Sequence, residues 1–114
     1  MARTKLDAIL APGSSASAPE SIIWTAADTV HGNYFESSGK DLVLARNVNG
    51  SGSAAVTIVS VPDALSRLGD IVTTVLFANT KVFGPFLAIG WRNTEGDISL
   101  DGAAGIEFAV IALP

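Results

Sequence analysis

Apolar residues in this chain recur at every second position, and the 3.6-residue spacing of an amphipathic helix is sustained nowhere. "DLVLAR" (Asp41 to Arg46) sets Leu42 and Leu44 against Val43 and Ala45. "AAVTIVSV" (Ala54 to Val61) puts Val56, Ile58 and Ser60 on one face and Thr57, Val59 and Val61 on the other. "DISLD" (Asp97 to Asp101) alternates around Ile98 and Leu100. "GIEFAVIAL" (Gly105 to Leu113) sets Ile106, Phe108 and Val110 against Glu107 and Ala109. "SIIWTAAD" (Ser21 to Asp28) and "DIVTTVLFA" (Asp70 to Ala78) are nearly continuous in apolar and β-branched residues, and "KVFG" (Lys81 to Gly84) is a shorter run. Glycine-bearing turns punctuate these runs at "HGN" (His31 to Asn33), "SSGKD" (Ser37 to Asp41), "NVNGSGS" (Asn47 to Ser53), "NTEGD" (Asn93 to Asp97) and "DGAAG" (Asp101 to Gly105). A strand every dozen or so residues is the pattern of a sandwich or barrel. The one helical candidate, "PDALSRLG" (Pro62 to Gly69), is long enough for a loop or a single turn.

The fold class expected is therefore all-β: a single compact β-sandwich, jelly-roll-like, over residues 22–114. Before it, "APGSSASAPES" is small, polar and broken by Pro12, Gly13 and Pro19, so residues 1–21 read as an extended N-terminal arm. Leu6, Ile9 and Leu10 are its apolar anchors. Asp7 and Pro12-Gly13 interrupt any signal-peptide core, and no run approaches the roughly 18 apolar residues of a membrane helix, so no membrane partner is expected.

The chain has 114 residues, the size of one domain, yet only 16% are charged. A protein with so little charge is expected to have some surface covered by another protein. The seven basic residues are scattered, and the net charge is −4, so nucleic acid is not an expected direct partner. The absence of cysteine excludes disulfides and thiolate metal sites.

Catalytic chemistry finds little foothold. His31 is the only histidine and sits in a turn. "NGSGS" does not match a nucleophile elbow and reads as a hairpin tip. Asp97 and Asp101 flank a strand as solvated turn residues rather than as a calcium pair. No phosphate loop is present. The chain is expected not to be an enzyme and to use no cofactor or metal. Trp24, Phe77, Phe83, Phe86, Trp91 and Phe108 read as core and subunit interface before a sugar-binding platform.

The order and spacing of "MARTKLDAILAPG", "WTAAD", "GNYF", "SGKDLVLARN", "VTIVSVPD", "VFGPF", "GWRN", "GDISLD" and "EFAVIALP" carry a resemblance over nearly the whole chain. It resembles the small virion structural proteins of tailed bacteriophages, of the head decoration (capsid cement) type. Its most specific part is Val82 to Phe86, followed by Trp91, Gly96, Ile98, Leu100 and Asp101. The turn at Ser66 to Asp70 departs from the Gly- and Thr-like sequence expected of the family. The resemblance implies a homotrimer that binds the major capsid protein on the virion exterior and stabilises the head, after synthesis in the bacterial host cytoplasm. It carries over no catalytic residue. On this reading Arg3, Lys5, Leu6, Ile9 and Leu10 of the arm contact the capsid or a neighbouring subunit. Phe83 enters the core and Phe86 takes a subunit seam. Deleting residues 1–20 is then expected to spare the sandwich and weaken capsid binding. The alternative reading is a tail, neck or fibre-associated structural protein, or a carbohydrate-binding adhesin module using Trp24 or Trp91.

Overall fold

Alternation becomes two layers. A computed structural model describes residues 3–10, 21–61, 69–86 and 90–113. Its strands are β1 (Thr4–Lys5), β2 (Ala8–Leu10), β3 (Thr25–Ala26), β4 (Asn33–Glu36), β5 (Asp41–Asn47), β6 (Ser53–Ile58), β7 (Ile71–Leu76), β8 (Thr80–Phe86), β9 (Asp97–Gly102) and β10 (Ile106–Ala112). One sheet, here sheet A, runs β1-β4-β9-β6-β7. Sheet B runs β2-β10-β5-β8, with β3 also on the outer edge of β10. The described residues are all-β, arranged as a two-layer sandwich. β1 pairs with β4, and β2 with β10, in parallel. The other pairs are antiparallel. Both sheets are therefore mixed, where a jelly roll is antiparallel throughout.

The core follows from which face each strand turns inward. Phe35, Ile98, Leu100, Val56, Ile58 and Val75 from sheet A meet Val43, Ala45, Phe108, Ile106 and Val110 from sheet B, each no more than 1% exposed. The predicted alternations of Ile98 with Leu100, and of Ile106, Phe108 and Val110, all deliver the inward face. Among the described residues three buried polar side chains sit at strand ends and are satisfied there. Asn47 donates from Nδ2 to the Val75 carbonyl at 2.8 Å and accepts the Asn49 N–H at 2.9 Å, tying the two sheets together. Asp41 accepts the Ser38 N–H and hydroxyl at 2.9 and 2.7 Å. Asn33 accepts the Asp28 N–H at 2.8 Å. An unpartnered buried amide or carboxylate in these places would cost several kcal/mol.

Consecutive strands mostly belong to opposite sheets. Only β6 and β7 form a hairpin with each other among the described strands. The glycine-rich Asn47–Ser53 segment, read as a hairpin tip, instead carries the chain from β5 in sheet B to β6 in sheet A. "SIIWTAAD" yields only the two residues of β3, with Ile22 and Ile23 left 43% and 48% exposed. The segment lies along a single neighbour, β10, so its β-branched run has a partner on one side only. The Pro62–Gly69 candidate falls almost wholly outside the described residues.

The arm expectation changes over residues 3–10. They are extended, but laid into both sheets. The chain runs along sheet A as β1, crosses the side of the sandwich at Leu6, and continues along sheet B as β2. The Thr4 N–H donates to the Gly32 carbonyl at 3.0 Å and the Leu6 N–H to the Tyr34 carbonyl at 2.8 Å. Leu6 is 2% exposed and belongs to the core. Residues 11–20 of the expected arm lie outside the described residues.

Phe86 also departs from expectation. Phe83 and Phe86 differ by an odd number of positions, so a regular strand would point them to opposite faces. The β5–β8 register slips by one residue between Asp41 and Val43, opposite Phe86 and Phe83. The extra residue on β8 is a bulge, and it turns both rings inward, to 8% and 2% exposure. Phe86 therefore packs in this chain's own core, edge-on to Trp91 with ring centroids 5.0 Å apart. Gly84 makes the bulge possible. Its φ is +95°, and a Cβ there would come within 2.8 Å of the Asp41 carbonyl oxygen.

Two stability measurements follow from these two devices. Leu6→Ala should lower the unfolding free energy by about 2–5 kcal/mol in urea titration. Deleting residues 1–20 should therefore damage the sandwich itself rather than spare it. Gly84→Ala should cost at least about 1 kcal/mol, since it places a side chain at positive φ. A melting temperature unchanged by either substitution would contradict the packing described.

Candidate interaction surface

Asp28 and Asp101 are both engaged in contacts within the fold. Asp28 builds the turn that holds His31. Its Oδ2 accepts the Thr4 hydroxyl at 2.6 Å, and its Oδ1 accepts the N–H groups of Val30 and His31, each at 3.0 Å. The Thr4 hydroxyl first, then these N–H groups, hold the Asp28 carboxyl below the usual carboxylate range. Asp97 and Asp101 lie on the outer face of β9 with Ser99 between them, and Asp101 is paired with Arg3 at 2.6 Å. Among the described residues no three His, Cys, Asp or Glu side chains gather as a metal site. An open cleft of about 350 Å³ lies between Arg46–Asn49 and Ala78–Thr80, lined by amides and short side chains.

The outward face of sheet B is the more telling surface. Val43 and Ala45 of β5 face the core, so the larger Leu42 and Leu44 face out. The register aligns them in rows across the sheet. Ile9, Ile111 and Leu42 form one row, and Ala109, Leu44 and Val82 the next. The third row carries the polar side chains Glu107, Arg46 and Thr80, with Ala26 at its end. A sandwich sheet that faces water normally alternates polar outward. Here two of three rows are apolar: Val82 is 61% exposed, Ile9, Ile111, Leu42 and Leu44 are half-buried, and Ala109 is buried. The polar row is itself closed off. Arg46 Nε donates to Glu107 Oε1 at 2.7 Å, and its guanidinium lies over the Trp24 ring, 4.1 Å from the centroid. One face of Trp24 is thus covered, and Trp91 is packed on Phe86, so neither tryptophan presents a bare platform on both sides.

The arm residues divide among three places. Arg3 is on the flank of sheet A, where Nη1 also donates to the Leu100 carbonyl at 3.2 Å. Lys5 is paired with Glu36 at 3.2 Å, and that hydrogen bond and charge raise its pKa. Leu6 is in the core. Ile9 joins the apolar rows of sheet B, and Leu10 at the end of β2 is 65% exposed. The structure brings Ile9 together with Leu42, Leu44 and Ile111, three residues not singled out as contacts. The signal for them was present in β5 and β10, whose alternation is apolar on both faces.

Comparison with known protein families, curated proteins and solved structures finds no match.

One charge cluster disfavours the native state. Glu36 and Asp97 are directly opposed across β4 and β9. Burial first, then the neighbouring Glu95 and Glu36, push the Asp97 carboxyl above its ordinary range, with Lys5 opposing. A raised carboxylate pKa favours the fold while the group is protonated, and that contribution is lost as pH rises through the folded value. Ionised Asp97 therefore weakens the fold at neutral pH. Asp97→Asn should raise Tm at pH 7 by about 2 °C, the scale of one relieved like-charge cross-strand pair. The gain should vanish below about pH 3, where the acid is neutral. Calorimetry across this range checks both the sign and the window.

Proposed function

We propose that this chain is a virion structural protein of the capsid-decoration type, which binds the outer surface of a phage head through the outward face of sheet B. The observation that carries the reading is the pair of apolar rows formed by Ile9, Ile111 and Leu42, and by Leu44 and Val82 beside the buried Ala109. A face of that character lowers its free energy by meeting another protein, at about 25 cal/mol per Å² of apolar area removed from water. The sequence resemblance to cement proteins supports the same reading, as does the low charge. On this reading the protein is not an enzyme. Its work is association: several modest contacts on a repeated lattice act together, and assembly as a trimer multiplies each one. The contact set moves from the arm expected at 1–21 to the sheet face, with Ile9 shared between the two.

Cosedimentation with heads purified from the encoding phage tests it. The wild-type chain should pellet with heads. A Leu42→Lys, Leu44→Lys variant should remain in the supernatant while keeping the wild-type far-UV circular dichroism, because both side chains point away from the core. Equal pelleting of this folded variant, or no pelleting of the wild type, would overturn the reading.

A further inference from the structure

A sheet's end strands expose backbone groups, and two of the four ends in this sandwich, β1 and β8, carry devices against pairing. β1 ends sheet A with Arg3, Lys5 and Asp7 in or beside it. β8 ends sheet B with a bulge, Pro85, and Lys81, whose amine donates to Thr73 Oγ1 at 3.2 Å. Charge, proline and bulges are the usual protections of an edge. Among the described residues β7, the other end of sheet A, has no such device within the strand itself; the nearest charges are Asp70 just before it and the Lys81 amine on Thr73. Its sequence, Ile-Val-Thr-Thr-Val-Leu, contains no charge, proline or glycine.

The direction of its free backbone groups can be read from the ladder. The Phe77 N–H donates to the Gly52 carbonyl at 2.8 Å, in line with the β6–β7 register of Ser53 with Leu76 and Ala54 with Val75. In an antiparallel ladder alternate residues bond to the same neighbour. Val75, Thr73 and Ile71 therefore turn their groups to β6, and Val72, Thr74 and the Leu76 N–H point outward, the Leu76 carbonyl accepting the Asn79 N–H at 3.1 Å in the turn that follows. The outward groups sit on a self-complementary strand. If two copies meet antiparallel with Thr74 opposite Thr74, then Val72 falls opposite Leu76 of the second copy and Leu76 opposite its Val72. Every outward-directed residue then faces an outward-directed residue; with each Leu76 carbonyl held by the Asn79 N–H of its own turn at 3.1 Å, this permits about four backbone hydrogen bonds. The side chains match as well: a Thr–Thr pair flanked by two Val–Leu pairs. Val72 is 71% and Leu76 48% exposed, so this apolar area is free to be buried. Shifting the register by two positions to centre on Val72 or Leu76 leaves part of that set unpaired.

We propose that β7 is a self-pairing edge: two copies of this chain join antiparallel across it, with Thr74 on the two-fold axis, and sheet A continues from one subunit into the next. This contact is independent of the capsid reading and of any three-fold assembly. It is isologous, so it closes on itself and does not grow into a fibre.

The test compares masses in sedimentation equilibrium and uses the chain's lack of cysteine. Thr74→Pro removes an outward N–H and leaves the β6 ladder untouched, a position where an edge strand tolerates proline. The wild type should have twice the mass of T74P. Should T74P fail to fold by circular dichroism, Val72→Lys, at a well-exposed outward side chain, serves in its place. Under mild oxidation T74C should form a disulfide dimer, because Cα atoms of a directly opposed pair lie about 5.5 Å apart, within disulfide reach. V72C should not, because its own copy lies some four residues along the strand. A wild-type mass equal to that of the folded variant, or three times it, would overturn the proposal. So would cross-linking of V72C as readily as T74C.

Discussion

Two sheets that share a core must be held together along their sides as well as through it, and Leu6 supplies that restraint on one side. The chain leaves sheet A after Lys5, buries Leu6 between the layers, and joins sheet B at Ala8. One continuous segment thereby caps the β4 edge of one sheet and the β10 edge of the other. The gain is more than one buried side chain. Backbone bonds on both sheets are completed by residues only a few positions apart, so ordering this short segment fixes how the layers sit on one another. The opposite side has a different solution: the β7–β8 turn crosses between the sheets, and Asn47 reaches from β5 to the Val75 carbonyl to hold it.

That division of labour shapes the surface. With its sides laced, the sandwich needs nothing from the outward faces of its sheets, and those faces are free to serve something else. Sheet B uses the freedom for Leu42, Leu44 and Ile111. The inward positions beside them hold the smaller Val43 and Ala45, because Phe83, Phe86 and Phe108 already fill the space between the layers. The bulge at Gly84 is what admits both Phe83 and Phe86, so a backbone irregularity at one edge decides how much room β5 has in the core.

How much of this was legible in the sequence depended on the range of the interaction concerned. β5, β6, β7, β9 and β10 could be read directly, because period-two alternation is local. β1 and β2 could not. Each is two or three residues long, and each exists only because a distant strand offers an edge: Asn33 for Thr4, and Val110 for Ala8. The polar, broken stretch after them made the whole terminus look like an arm. The inward turn of Phe86 leaves no local mark, because the bulge that produces it is set by pairing with β5. The apolar face of sheet B was half legible. Leu42 and Leu44 stood out, but alternation between two apolar sets does not say which set is inside. That choice is made by volume in the assembled core, which no local pattern records.

The pairing of Ala8, Ile9 and Leu10 with Val110, Ile111 and Ala112 also sets an order of events during synthesis. The segment that laces the sandwich emerges from the ribosome early, and the strand it needs emerges about a hundred residues later. β5, at the centre of sheet B, waits for the same strand. The two layers therefore cannot close while the chain is being extended through β9; closure is a late, nearly simultaneous event once β10 is free. Until then Leu6, Val43 and Ala45 have no finished core to enter, and the nascent chain is at its most vulnerable to proteases and to misassociation.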